Sequence, residues 1–306
     1  MSTGRLTLSG RTGKGPRRRR QSRTLLLFLL PAVVIYGVFL AVPAVAALAM
    51  SLTDWEGVAG GDPSFVGLSN FGGLATDGIF RQTFSNNVKF TLFVLVAQTV
   101  VSLLLALLLV KNTRVNVFYR VLYFFPTIIS SVSVALAWIL MYDPNIGALN
   151  ILLERAGLGG LQRSWLGDRG TAIFSLAFVQ FWQHTGQVMI IFIAGLQAIP
   201  KELYEAARVE GANRWQTFRY VTWPLLAPAA AIVVAYTTIQ SFRAFDLVIA
   251  LTDGGPSYAT EILSTWIYHV AFRDNNFGYA SAGAVVFMVI LGLLTALQFR
   301  VLRVDR

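Results

Sequence analysis

The chain contains no cysteine and only two histidines among its 306 residues. Without cysteine there is no disulfide scaffold, no thiolate metal site and no cysteine nucleophile, and the redox character of the compartment leaves no trace in the sequence. His184 and His269 stand about 85 residues apart with no carboxylate at metal-ligand spacing, so a zinc site has no support. Charge is scarce too: 13% of residues are Asp, Glu, Lys or Arg, where a soluble globular chain carries about a quarter. A phosphate-cradling loop is also missing. The one lysine in a glycine-rich setting, in Gly10-Arg-Thr-Gly13-Lys14-Gly15, lacks the glycine spacing and the following Ser or Thr that such a loop requires, so this chain is not expected to hydrolyse ATP. No serine or carboxylate pair has a positioned base, which argues against an enzyme.

What is abundant is apolar surface. Hydrophobic residues make up 55% of the chain and mean hydropathy is +0.61. Six stretches, near 25–50, 88–110, 119–141, 172–198, 225–250 and 280–300, are long enough to cross a hydrocarbon layer of ~30 Å, which takes about 20 apolar residues. The fold class is therefore all-α: a polytopic membrane protein with six transmembrane helices. Residues 1–23, basic and aperiodic, form an expected disordered cytoplasmic tail ahead of one transmembrane domain over 24–306. The apolar run after the tail continues for about 26 residues, against 7–15 in a signal peptide, so it stays as a helix.

The formal charge of +10 suggests nucleic acid until its distribution is read. Arg and Lys collect in alternate loops: 17–20 and Arg23, then Lys111, Arg114 and Arg120, then Lys201, Arg208, Arg214 and Arg219, and finally Arg300, Arg303 and Arg306. The intervening loops carry Asp54, Asp62, Asp77, Asp143, Asp168, Asp253 and Asp274 with fewer bases. Positive charge stays inside, so both termini and the 199–224 loop are expected in the cytoplasm, in contact with membrane lipids rather than nucleic acid.

Two spans hold polar groups that hydrocarbon tolerates poorly. Gln180, Gln183, His184 and Gln187 recur at three- and four-residue intervals along one face of the fourth span, and Gln240, Arg243 and Asp246 occupy the fifth. They either bond neighbouring helices or line a hydrophilic path, and the pattern leaves both open. Arg243 and Asp246, three apart, have the spacing of an ion pair. Phe181, Trp182, Phe242 and Phe245 lie among them, with flat faces suited to stacking on sugar rings or to plain packing.

Between these spans lies a short polar helix, Pro200-Lys-Glu-Leu-Tyr-Glu205-Ala206-Ala207-Arg208-Val-Glu-Gly211. Pro200 suits its first turn, Glu202 and Glu205 sit near its positive end, and Gly211 can take the left-handed conformation that stops it. Ala206 and Ala207 leave a nearly flat face fit for a groove on another protein. With Val221-Thr-Trp-Pro224 ten residues on, the segment resembles the Glu-Ala-Ala loop of permease subunits in binding-protein-dependent ABC importers, where it is the cytoplasmic coupling helix that contacts the ATPase. Val221 and Trp223 replace the loop's usual isoleucine and leucine, an apolar exchange. Leu251-Thr-Asp-Gly254-Gly255-Pro256, followed by Thr260, Tyr268 and Phe272, is similar to sugar permeases of the maltose and glycerol-phosphate type, and its paired glycines before proline make a tight turn at the outer mouth. The likeness continues in Asn70-Phe71, in Arg120 to Pro126 with Trp138, in Gly147-Ala-Leu-Asn150 and in Gly195 to Pro200, covering about residues 24–303 in order.

The resemblance implies a permease subunit in a bacterial cell membrane, importing a mono-, di- or oligosaccharide. Its partners would be a second permease, separate ATPase subunits that bind ATP and magnesium, and an extracytoplasmic sugar-binding protein; no cofactor or metal is assigned to this chain. Docking would fall to Glu205, Ala206, Ala207, Arg208 and Gly211, and the substrate path to Gln180, Gln183, Gln187, Gln240, Arg243 and Asp246. An ABC permease for a sugar phosphate, amino acid or peptide is the alternative. A secondary transporter is disfavoured by the lack of obvious self-similarity between the two halves.

The charge asymmetry generates a topology test in this cysteine-free background. Cysteines at Ser69, Ser164 and Ser257 are expected to react with an impermeant thiol reagent from outside the cell, and cysteines at Asn112 and Asn213 only after permeabilisation. External labelling at Asn213 would overturn the orientation.

Overall fold

The computed structural model describes residues 28–57 and 61–301, so the basic tail at 1–23 lies outside the described residues. Two units divide the chain, Met1–Ala49 and Met50–Arg306, and each is taken by itself. The first is carried by α1 (Phe28–Met50), an apolar helix whose Gly37–Ala41 turn opens to π geometry just ahead of Pro43. A proline ring clashes with the carbonyl four residues back, and a widened turn relieves it.

The second unit contains α2 (Ser69–Thr76), α3 (Gly78–Leu109), α4 (Arg114–Ile128), α5 (Ser131–Met141), α6 (Ala148–Arg155), α7 (Ala172–Gln197), α8 (Lys201–Val209), α9 (Arg214–Phe242), α10 (Phe245–Leu251), α11 (Leu263–Phe272) and α12 (Phe277–Val301). The only other regular pairing among the described residues is one bridge between Thr53 and Phe65. Among the described residues, five helices are long and apolar enough to cross a membrane, or up to six if the bent pair α4–α5 counts as one span.

At the centre, α7 lies along α3, with α4 and α9 packed against it. Phe90, Val94, Leu176 and Leu247 form one apolar cluster, Val188, Met189, Phe192 and Leu226 a second, and Phe80, Leu263, Trp266 and Ala282 a third. Apolar contact alone does not hold helices together in lipid, because lipid tails offer the same contact, so close backbone approach and interhelical hydrogen bonds carry more of the specificity. Both occur on α7. The Ser102 hydroxyl donates to Thr185 O at 2.8 Å and the Thr127 hydroxyl to Gln183 O at 2.8 Å. Each such bond contributes about 0.6 kcal/mol. Gly186 is where α4 crosses: a Cβ there would stand 2.0 Å from Tyr123 O and 2.6 Å from Phe124 N.

Two expected spans are not straight. Over 119–141 the chain bends by 98° between α4 and α5. Pro126 supplies no N–H to the preceding turn, Ile129 and Ser130 take extended backbone, and the freed Ile129 carbonyl accepts the Gln183 amide at 3.0 Å. Irregular backbone at membrane depth persists only where protein satisfies it in this way. Over 225–250, α9 ends at Phe242 and α10 starts at Phe245. A straight helix would carry Arg243 and Asp246 into hydrocarbon, whereas the turn sets both at a cavity. At its other end α9 begins eleven residues before the expected start, passing Pro224 through a π turn at Phe218–Thr222. Likewise α3 begins ten residues early, capped by Asp77, whose Oδ1 accepts from Ile79 N at 2.7 Å.

Connecting segments are tied by single polar residues. Asn150 donates to Pro144 O and Arg163 O and accepts from Trp165 Nε1 at 2.8 Å, which folds the 142–171 segment around one amide. Arg120 caps the end of α3 by donating to the carbonyls of Leu109, Val110 and Lys111.

The Gly186 contact gives a stability test. Ala at 186 meets backbone rather than a movable side-chain tip, so Gly186→Ala is expected to cost about 1–3 kcal/mol and lower the unfolding midpoint in detergent. Gly292→Ala, with nothing within 4 Å of its Cβ, is the control and should not fall. Equal midpoints for the two variants would remove this crossing from the account.

Candidate functional site: a polar cavity and a docking helix

Gln180 and His184 sit one turn apart on α7, and Tyr236, Gln240 and Arg243 follow at four- and three-residue steps at the end of α9. These spacings put each set on one helix face. With Asp246 at the start of α10 they line a cavity of about 300 Å³, completed by Ser131 and Leu247. The Gln240 amide donates to the Tyr236 hydroxyl at 3.3 Å, while its Oε1 is buried without a partner among the described residues. His184 Nδ1 lies 3.1 Å from Gln180 O. Amides, a phenol, a guanidinium and a carboxylate thus converge from three helices, offering donors and acceptors but no nucleophile beside a base.

Four of the six path residues read from the sequence come together here: Gln180, Gln240, Arg243 and Asp246. Gln183 does not; it is 1% exposed and serves the α4–α5 bend. Gln187 is not in the lining; it stands one turn along α7, near the Tyr236 side chain. Arg243 and Asp246 form no ion pair, because the helix break between them abolishes the three-residue spacing that suggested one. Tyr236 was the residue missed, although it sits four before Gln240 on the same face. Of the aromatics, Phe242 is buried on Phe287, Trp182 packs on Trp138 and Phe245 on Tyr268, all between helices, while Phe181 packs on Phe178 of its own helix; none of the four lines the cavity.

The docking helix α8 is closed at both ends. Pro200 stands at the N-cap, one position before the first turn, with extended ψ. At the other end Gly211 has φ +74°, its N–H donates to Arg208 O at 3.0 Å and Ala212 N–H to Ala207 O at 2.9 Å, the paired bonds of a glycine-terminated helix. Glu202, Glu205, Ala206 and Val209 fall at i, i+3, i+4 and i+7 and form one exposed face, with Val209 89% exposed. Ala207 is half-buried, and Arg208 lines a separate cavity between α8 and the start of α9. The inner face is fixed by Tyr204, whose hydroxyl accepts from Thr222 Oγ1 at 3.4 Å, joining α8 to α9.

The 252–262 turn is held from several sides. Gly254 has φ +83°, and a Cβ there would meet Glu261 Oε2 at 2.0 Å. Thr260 Oγ1 donates to Gly255 O at 2.6 Å, and from α3 the Asn86 amide donates to Tyr258 O at 2.8 Å. His269 bridges two carboxylates, Glu261 Oε2 and Asp253 Oδ1, each at 3.2 Å, and Arg273 grips Asp253 with contacts of 2.7 and 2.8 Å. Burial pushes the Glu261 carboxyl above its usual range. For Asp253 burial works in the same direction, but the Arg273 guanidinium and His269 outweigh it and hold the carboxyl low. Neither His269 nor Arg273 stood out in the sequence, though they share a helix face four residues apart.

Comparison with known proteins agrees with this architecture. Residues 98–303 match the family described as "Binding-protein-dependent transport system inner membrane component". The probable ABC transporter permease protein YurN of Bacillus subtilis (strain 168) is 37% identical over 276 residues, covering 90% of this chain and 94% of that protein. The multiple sugar-binding transport system permease protein MsmF of Streptococcus mutans serotype c is 33% identical over 273 residues, covering 89% and 93%. Among solved structures, a bacterial ABC transporter involved in the import of the acidic polysaccharide alginate superposes with TM-score 0.81 at 22% identity over 94% of this chain and 98% of that one, a likeness of fold. The match covers the cavity helices and the docking helix alike, and the chain belongs to the family of binding-protein-dependent transport system inner membrane components.

Proposed function

We propose that this chain is a permease subunit of an ATP-driven importer that carries a carbohydrate into the cytoplasm. The observation that carries the reading is one continuous helix, α9, tied to the docking helix at Thr222 and bearing Tyr236, Gln240 and Arg243 at the cavity. Eighteen residues of helix separate Thr222 from Gln240, a distance of about 27 Å. Movement imposed on α8 therefore reaches the cavity through a rigid element rather than a flexible connector. The relatives named for sugar transport support the solute class.

In this mechanism both termini and α8 face the cytoplasm of a bacterial plasma membrane. A separate ATPase, which binds ATP and magnesium, takes the exposed face of α8, while a second permease completes the path and a sugar-binding protein delivers solute above. Gly211 holds the angle at which α8 leaves its groove, and Glu205 contributes charge at the contact. Closure of the ATPase moves α8 and turns the cavity from one side of the membrane to the other. Solute hydroxyls exchange water for Gln180, Gln240, Asp246 and Arg243, and the 252–262 turn, with Gly254, Gly255 and Pro256, shapes the outer mouth. One observation favours a second reading, an anionic solute: Arg243 lines the cavity without an ion-pair partner among the described residues. Transport by the reconstituted complex, tested with neutral mono- and disaccharides against sugar phosphates and uronates, separates the two.

Gly211→Pro and Glu205→Lys are expected to insert and assemble but lose transport. Proline cannot take φ +74°, and the reversed charge opposes a groove suited to an acid. Normal transport by both assembled variants would refute the lever.

Arg243→Ala and Asp246→Ala are expected to assemble normally and to raise the solute concentration for half-maximal transport. A lost hydrogen bond to a bound hydroxyl costs about 1–3 kcal/mol, or roughly five- to hundredfold. Poor assembly of Asp246→Ala, repaired by combining Asp246→Arg with Arg243→Asp, would instead mark a structural pair.

A further inference from the structure

A second cavity, beside α8, is separate from the polar one. It measures about 780 Å³ and lies between the last turns of α3, the inner edge of α8 and the first turns of α9. Its walls divide by chemistry. Leu104 and Leu107 supply an aliphatic strip, and Trp215 stacks on Phe218 with ring centroids 5.8 Å apart. Arg208 and Arg214 point into the same space, and neither guanidinium has a hydrogen-bond or ion-pair partner among the described residues. Trp215 is 69% exposed, where α9 passes from a polar loop into its apolar span.

Two free cations from α8 and α9, an aromatic rim from α9 and an aliphatic strip from α3 around one cavity match one amphiphile. We propose that this cavity binds an acidic glycerophospholipid, its phosphate between Arg208 and Arg214 and its acyl chain along Leu104 and Leu107. Guanidinium groups suit phosphate because their planar donors match its oxygens, and a tryptophan ring suits the interfacial level just below it. Arg208 falls three residues after Glu205, at the edge of the exposed face of α8, and from that edge its side chain lines the cavity. Bound lipid would brace α8 against α9 beside the Tyr204–Thr222 contact, making transport sensitive to the acidic lipid content of the bilayer. The inference shares the cytoplasmic placement of α8 with the proposed function, and thiol labelling at Asn213 tests that placement separately.

The test uses the full chain in vesicles and the fluorescence of Trp215, isolated by subtracting the Trp215→Phe variant because the chain has seven tryptophans. Brominated phosphatidylglycerol, as a minor component of phosphatidylcholine, is expected to quench Trp215 as though enriched on the order of tenfold over brominated phosphatidylcholine at the same mole fraction, since each basic residue near the surface attracts acidic lipid by several-fold. The double variant Arg208→Gln/Arg214→Gln is expected to bring the two lipids to parity, and Arg219→Gln, outside the cavity lining, to leave the preference intact. Parity in the unmodified chain would overturn the proposal, and this comparison stands alone if the double variant does not fold. So would quenching by neither lipid, which would mean that protein covers the cavity. Loss of the preference on adding soluble glycerol 1-phosphate would show that a free phosphate compound is the occupant.

Discussion

A backbone carbonyl released inside a bilayer finds no water to bond, and at the bend between α4 and α5 that release is met by one side chain, the Gln183 amide at 3.0 Å from Ile129 O. The rest of the transmembrane architecture depends on this exchange. The bend brings Ser131, at the start of α5, to the edge of the polar cavity, and it allows α4 to press so closely on α7 that only glycine fits at 186. Side-chain amides bond buried acceptors elsewhere too. Asn86 holds the carbonyls of the 252–262 turn, and Gln298 reaches Thr238 across α12 and α9 at 2.8 Å. Polar side chains that hydrocarbon would expel are in this way directed into the protein, either to backbone that needs a donor or to the cavity.

Position then separates two roles that share one residue type. Gln183 and Gln180 are one turn apart on α7, yet the first is used up by a carbonyl and the second lines the cavity. On α8 the division is between faces: Glu202, Glu205, Ala206 and Val209 look outward, Tyr204 looks toward α9, and Arg208 stands at the edge between them. One nine-residue helix therefore has an exposed face, which the proposed function gives to the ATPase, and a clamp to the transmembrane body. Since α9 runs without interruption from the clamp to the cavity, the two ends of the proposed mechanism are physically one element.

Much of this was legible in the sequence because its physics is local. Apolar length disclosed the spans, three- and four-residue spacing grouped the glutamines, and Pro200 with Gly211 bounded α8 to within two residues. Resemblance assigned Asn70, Arg120 and Asn150 to a family pattern, and the structure supplies their work: Asn70 bonds Ser51 O and Thr53 O, Arg120 caps α3, and Asn150 folds a long segment. What stayed hidden depends on contacts distant in sequence. The 98° bend follows from where Ile129 finds its donor, 54 residues away, and no pattern near Pro126 announces that. Arg243 and Asp246 looked paired because a continuous helix was assumed between them. The cluster of Asp253, Glu261, His269 and Arg273 was unreadable for the same reason, since a turn and a helix must first fold to bring two carboxylates to one imidazole.

The central claim is that the cavity at Gln180, Gln240, Arg243 and Asp246 is the solute path and that it changes sides with the state of the ATPase. Its most direct test is the accessibility of a cysteine placed at Gln240 in the otherwise cysteine-free chain, measured in the assembled transporter with impermeant thiol reagents applied from each side. Without nucleotide the cysteine should react from the cytoplasmic side. With the ATPase trapped in its nucleotide-bound closed state, reactivity should move to the outer side. Reactivity from one side alone in both states would contradict the account, because the cavity would then be a fixed pocket rather than a path.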